Sequence, residues 1–223
     1  MKKIHLVLQG KGGVGKSLVA STLTQYLLSN HRNVLGIDTD PVNASFNGYS
    51  ALNVELINIL KDDEIDPLSF DLLIEKILTE STENIIVDNG ASAFVPLSNY
   101  IIKNDIPSLF KEHDCELVIH TVITGGQSMD DTVNGFVKII SQFPNDCSFI
   151  VWLNPFWGDI EKNGMKFEEM KAYKTNKNRI SAIVNMPKLN PQTFGVNYAT
   201  LLKNKLTFDE SIQSGSLTIM ERQ

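Results

Sequence analysis

The stretch Leu8-Gln9-Gly10-Lys11-Gly12-Gly13-Val14-Gly15-Lys16-Ser17-Leu18-Val19 decides how this chain folds. It follows the apolar run Ile4-His5-Leu6-Val7-Leu8 and precedes Leu18, Val19, Leu23, Tyr26 and Leu27 at helical spacing. Gly10 to Ser17 fit G-x-x-x-x-G-K-[ST], a strand-to-helix turn that grips phosphate. Glycines let backbone N–H groups curl around a triphosphate, Lys16 can reach its β- and γ-phosphates, and the Ser17 hydroxyl can hold Mg²⁺. The positive end of the following helix adds to the attraction.

Gly10-Lys11-Gly12-Gly13-Val14-Gly15 also reads G-x-G-x-x-G, and Asp38 stands about where a ribose-binding acid of a dinucleotide fold would lie. Lys16-Ser17 decides between the two. A dinucleotide loop meets a pyrophosphate without needing a lysine and a metal-binding hydroxyl at these places, so a nucleoside triphosphate is expected.

Apolar runs of strand length alternate with helix-period segments from end to end, with no repeat and no linker. That alternation predicts one three-layer α/β domain over residues 1–223, a mostly parallel twisted sheet with helices on both faces. Strands are expected at 4–9, 33–38, 84–88, 116–121, 148–153 and 179–184. Helices are expected at 17–29, 69–79, 106–113, 128–143 and 167–174, with more near the C-terminus. Ligands of such sheets sit beyond the carboxyl ends of the strands.

The chemistry-bearing residues fall at such ends. Ile37-Asp38-Thr39-Asp40-Pro41 places two carboxylates beyond the second strand, and Pro41 ends regular pairing. Ile85-Ile86-Val87-Asp88-Asn89-Gly90 ends in an acid suited to hold Mg²⁺ opposite Ser17, directly or through water. Gly90 is expected to let the next loop move when a γ-phosphate leaves. Val151-Trp152-Leu153-Asn154-Pro155 ends in an amide whose acceptor and two donors suit the edge of a base such as adenine. Asn185-Met186-Pro187 is a second loop that could flank the base. Trp152, Phe156 and Trp157 read as core or interface aromatics and are given no site role. His5, His31, His113 and His120 likewise have no site, which leaves no arrangement for nucleophilic catalysis.

Bulk properties narrow the class. A formal net charge of -6 argues against a generally nucleic-acid-binding surface, and Lys171, Lys174, Lys177 and Arg179 read as a solvated face. Cys115 and Cys147 form neither a C-x-x-C nor a disulfide framework, which fits a reduced, cytoplasmic protein. No apolar run approaches the roughly 18 to 20 residues that cross a bilayer. Ile219 to Gln223 carries no amphipathic pattern for a membrane-surface helix.

Lys11-Gly12-Gly13-Val14-Gly15-Lys16-Ser17 resembles the deviant Walker A box of the ParA/MinD class of P-loop ATPases. The resemblance implies an ATP·Mg²⁺ site along Gly10, Lys11, Gly12, Gly13, Val14, Gly15, Lys16, Ser17 and Leu18. It implies that Lys11 is a signature lysine that reaches across an ATP-bound homodimer, and that Asp40 orients the attacking water. Asp88 becomes the Walker B acid, Asp38 a second acid near the metal shell, and Asn154 with the Pro187 loop the adenine site. Further stretches, Val42-Asn43-Ala44, Val87-Asp88-Asn89-Gly90-Ala91-Ser92 and Leu206-Thr207-Phe208-Asp209 among them, resemble a family of plasmid conjugal-transfer proteins. That likeness implies a weak ATPase with a conjugation or secretion-system protein as partner. Val42 replaces the glutamine usual in partition proteins, and Asn89-Gly90 their usual Cys-Pro. Three rivals are a small-molecule kinase or ligase, a non-hydrolysing nucleotide-binding scaffold and an NAD-dependent oxidoreductase. Phosphate release without an acceptor, a single-turnover assay and nicotinamide binding separate them.

Overall fold

Alternation along β1 (Lys2–Val7) sets up the two faces of the sheet. Ile4 and Leu6 enter a large apolar cluster with Phe70, Leu97, Phe110 and Phe136, whereas Val7 enters a smaller one with Val19, Ala20, Tyr49 and Trp152. Successive side chains of a strand point to opposite faces, so a strand covered on both sides reads as a continuous apolar run. The computed structural model describes residues 1–40, 42–62, 64–189, 194–215 and 217. The expectations for Pro41 and for Ile219 to Gln223 lie outside the described residues.

Besides β1, the main sheet contains β2 (Val34–Asp38), β3 (Val54–Leu56), β4 (Asn84–Asp88), β5 (Cys115–Thr124), β6 (Ser148–Asn154) and β7 (Ile180–Asn185). The order is β7-β6-β5-β1-β4-β2-β3, and every pairing is parallel. The helices are α1 (Lys16–Ser29), α2 (Pro67–Thr79), α3 (Phe94–Lys103), α4 (Ile106–Glu112), α5 (Met129–Gln142), α6 (Lys171–Asn176), α7 (Phe194–Lys203) and α8 (Phe208–Gln213). Residues of α1 pack in the smaller cluster and those of α2 to α5 in the larger, giving the three layers. Among the described residues, no helix is long and apolar enough to cross a membrane.

All six expected strands are present, and β5 runs three residues further than expected, to Thr124. Elements that were not expected include β3 and α3. β3 is only three residues long, too short for a period to show. In α3, Phe94, Leu97 and Ile101 are buried at helical spacing, but Pro96 reads as a breaker. It is the third helical residue, where the N–H has no intrahelical partner to lose. The expected helix at 167–174 is divided into a 3₁₀ turn (Phe167–Glu169) and α6, with Met170 extended between them.

Candidate functional site

The loop from Leu8 to Gly15 joins β1 to α1. Gly13 (φ 71°) and Gly15 (φ 104°) occupy the left-handed region, where a side chain would be strained. Gly15 is the N-cap of α1 and offers no side-chain cap, so the first-turn N–H groups remain available to an anion. Beside the loop lies a cleft of about 550 Å³, lined by Gly12 to Leu18 without Val14, by Asp40, Val42 and Asn43 after β2, and by Ala91 and Ser92 after β4. That size suits a nucleotide-sized ligand.

Two opposite charges are buried here. Lys16 is 7% exposed, and its Nζ donates to the Lys11 carbonyl at 3.2 Å. Burial pulls its pKa down, and the carboxylates of Asp88 and Asp40 pull it back up. Asp88, at the end of β4, is 1% exposed, and neither carboxylate oxygen has a hydrogen-bond partner. Ser17 approaches closely enough to lower the Asp88 pKa but does not meet hydrogen-bond geometry. Burial, the dominant influence, pushes that pKa up to about 7. A buried carboxylate without donors is costly, and a cation supplied between Ser17 and Asp88 would relieve that cost. The donor set, a hydroxyl and a carboxylate, suits a hard divalent ion that keeps several waters.

Asp38 is fully buried, in register with Asp88 on the neighbouring strand. Its Oδ1 accepts from the Asp40 N–H, and its Oδ2 from the Phe46 and Asn47 N–H groups, each at 2.9 Å. Asp38 therefore organises the loop that carries Asp40. Burial raises its pKa, and these N–H groups oppose the rise. Asp40 Oδ1 accepts from the Val42 and Asn43 N–H groups at 2.9 and 3.1 Å. Gly90 shows why a side chain is missing there: a Cβ would lie 2.8 Å from Asp40 Cγ. Close approach of Asp40 thus accounts for the glycine that the sequence suggested as a hinge.

Lys11 is 41% exposed and paired with Asp131 in the first turn of α5, Nζ to Oδ2 at 2.8 Å. Asn154 does not line the cleft. Its Nδ2 donates to the Val14 carbonyl at 2.9 Å and its Oδ1 accepts from the Phe156 N–H at 3.2 Å. Pro187 is exposed and also outside the lining. The structure thus gathers Lys16, Ser17, Asp40 and Asp88 and leaves the two expected base-flanking residues outside the cleft lining.

Sequence reasoning missed several neighbours. Gln9 is fully buried, donating to the Val122 and Thr132 carbonyls at 2.9 and 3.1 Å and accepting from the Gly10 N–H at 2.9 Å, so it anchors the start of the loop. Its place at the end of a buried strand was the available signal. Tyr49 and Lys205 also line the cleft, with the Lys205 ammonium 5.5 Å from the Tyr49 ring centre. Trp157, read as an interface aromatic, donates its indole N–H to the Gly13 carbonyl at 3.2 Å.

Comparison with known proteins agrees with this geometry. The family model for the CobQ/CobB/MinD/ParA nucleotide binding domain matches residues 5–214. The chain is similar to two Escherichia coli proteins named TraL, at 53% and 52% identity over 223 residues, covering 100% of this chain and 92% of each relative. Among solved structures, the MinC:MinD cell division complex of Aquifex aeolicus aligns with TM-score 0.58 and 16% identity, over 95% of this chain and 88% of that one. A nucleotide-binding protein of Archaeoglobus fulgidus, in complex with ADP, aligns with TM-score 0.52 and 17% identity, over 91% and 87%. At such identities the likeness to solved structures concerns the fold.

Proposed function

The chain belongs to the CobQ/CobB/MinD/ParA nucleotide binding domain family, and from that premise we propose that it is an ATPase whose ATP·Mg²⁺-bound state is a homodimer. Asp88 carries this reading. Its two buried oxygens have no partners, and they sit across from Ser17 and Lys16, where a nucleotide-bound cation would supply what they lack. Loop N–H groups and Lys16 hold phosphate oxygens. When bound, Mg²⁺ polarises the phosphates and offsets charge building on the transferred group. Asp40, held at the cleft by its turn and by the gap at Gly90, orients the attacking water. Asp38 reaches the site through the loop it fixes. Lys11 exchanges Asp131 for the phosphates of a second copy, so turnover in the monomer is slow. Asn154 and the Pro187 loop, although outside the cleft lining, are taken to flank the base. By likeness to the TraL proteins, the switch serves plasmid conjugal transfer in the cytoplasm with a conjugation or secretion-system protein as partner.

Phosphate release and light scattering with MgATP test this. Wild type should release phosphate and double its mass, while Asp40→Ala should stay dimeric with hydrolysis reduced at least about a hundredfold, the lower end of the scale for a positioned acid–base group. Wild-type rates in Asp40→Ala would remove Asp40 from the mechanism, and no nucleotide binding by wild type would end the reading.

A further inference from the structure

The turn after β6 touches the phosphate loop at two successive peptide groups. Trp157 Nε1–H donates to the Gly13 carbonyl at 3.2 Å, and Asn154 Nδ2–H donates to the Val14 carbonyl at 2.9 Å. In a trans peptide the C=O and the next N–H point in opposite directions within one plane. Holding the Gly13 carbonyl therefore aims the Val14 N–H away from Trp157. Holding the Val14 carbonyl does the same for the Gly15 N–H. Resting on the nucleotide-binding reading above, we propose that Trp157 and Asn154 form a clamp that sets these two N–H groups for phosphate, making both positioning residues.

Three observations support the clamp. The 3₁₀ turn Pro155–Trp157 is wedged from behind: a Cβ on Gly126 would run into the Trp157 carbonyl, and one on Gly125 into the Gly158 carbonyl. From the front, a Cβ on Gly15 would come within 2.9 Å of Asn154 Nδ2, so the loop's glycine is also what admits the amide. Trp157 is itself 56% exposed. Burial holds its ring weakly, which leaves the directed N–H bond and the edge contact with Phe156, ring centres 5.0 Å apart, to place it. Asn154 reinforces the turn by accepting from the Phe156 N–H. Both donors thus belong to one short rigid segment, and the loop's conformation depends on a strand more than a hundred residues away.

Calorimetry with MgADP and tryptophan emission on the full chain test the clamp. Trp157→Phe keeps a ring but removes the donor. It should raise the MgADP Kd about fivefold, the equivalent of roughly 1 kcal/mol for one hydrogen bond, with the nucleotide-free Tm unchanged. Asn154→Ala should raise it further, because the Val14 carbonyl is more enclosed. Wild-type emission should change on adding MgADP, and Trp157→Phe, which retains only the buried Trp152, should be silent. If wild type binds MgADP while Trp157→Phe binds equally well or gives the same emission change, the clamp is wrong. Should wild type itself fail to bind MgADP, the nucleotide-binding reading falls instead. The wild-type emission change needs no substitution, so a variant that does not fold leaves the test standing.

Discussion

Two sets of buried polar side chains occupy the same sheet and resolve their burial in opposite ways. On β1, β5 and β6, Trp152 Nε1–H donates to His120 Nδ1 at 2.9 Å, and His120 Nε2 meets His5 Nδ1 at 2.9 Å. The indole can only donate, so the His120 proton must sit on Nε2, and the His5 proton in turn on its own Nε2. Burial pushes the His120 pKa down to about 3 and the His5 pKa to about 4, so both rings are neutral. The chain closes on itself except at His5 Nε2, which lacks a bonded partner. At the carboxyl end of the sheet, Lys16 and Asp88 are just as enclosed, yet the carboxylate oxygens have no donors at all. Polar groups that satisfy one another serve structure, whereas enclosed charges left unsatisfied mark where something else is meant to bind.

The strongest way to break this contrast is Asp88→Asn. A carboxyl raised to about 7 in the folded chain binds more protons there than when unfolded, so its influence on stability becomes less favourable as pH rises from about 4 to 7. Above pH 7 the folded chain carries the buried charge. Asp88→Asn should therefore raise the Tm of the nucleotide-free protein at pH 8 by several degrees, about 1–2 kcal/mol, and much less at pH 5. The same change should cost at least about tenfold in Mg²⁺-dependent nucleotide affinity if, as proposed, Asp88 holds the metal or its water shell. A lower Tm at pH 8 would mean that Asp88 is an ordinary structural acid.

An intermediate effect is expected at the histidines. Their folded pKa values lie below the unfolded value of about 6.5. The stability they contribute is complete above that pH and is lost as pH falls towards 4 and then 3. Thermal melts from pH 7 to 4 should show the decline, and His120→Gln, which retains an acceptor for Trp152 and a donor for His5, should flatten it. An identical acid profile in the variant would place the acid-sensitive group elsewhere.

These predictions also separate what the residues announced from what only the fold assembled. The spacing of Gly10, Gly15, Lys16 and Ser17, and an acid closing the apolar run to Asp88, were legible because strand, turn and helix are local. His120 was given no site and is buried on β5, but its partners lie on strands that are 115 and 32 residues away in sequence. They meet because β5 lies between β1 and β6, an order that periodicity does not encode. The contacts that Trp157 and Asp131 make with the phosphate loop were not legible for the same reason: they are made at turns which that order brings together. The Asp38 carboxylate was visible at its strand end, while its three backbone partners depended on the path of the loop from Asp40 to Asn47.

The smallest effect belongs to the pair that is neither enclosed nor unsatisfied. Lys11 and Asp131 meet at 2.8 Å with side chains 41% and 57% exposed. Water and salt screen such a pair, whose worth is roughly 0–1 kcal/mol. Asp131→Asn should shift the Tm by no more than about 4 °C, and less in high salt. Lys11→Ala should be equally mild for the monomer while removing ATP-dependent dimerisation. Measured side by side, the two variants set the stability role of Lys11 against its proposed role in a second copy. If Asp131→Asn unfolds the chain near room temperature, Lys11 is tied into the core of the fold. If Lys11→Ala dimerises with MgATP as wild type does, the lysine has no work to do across the interface.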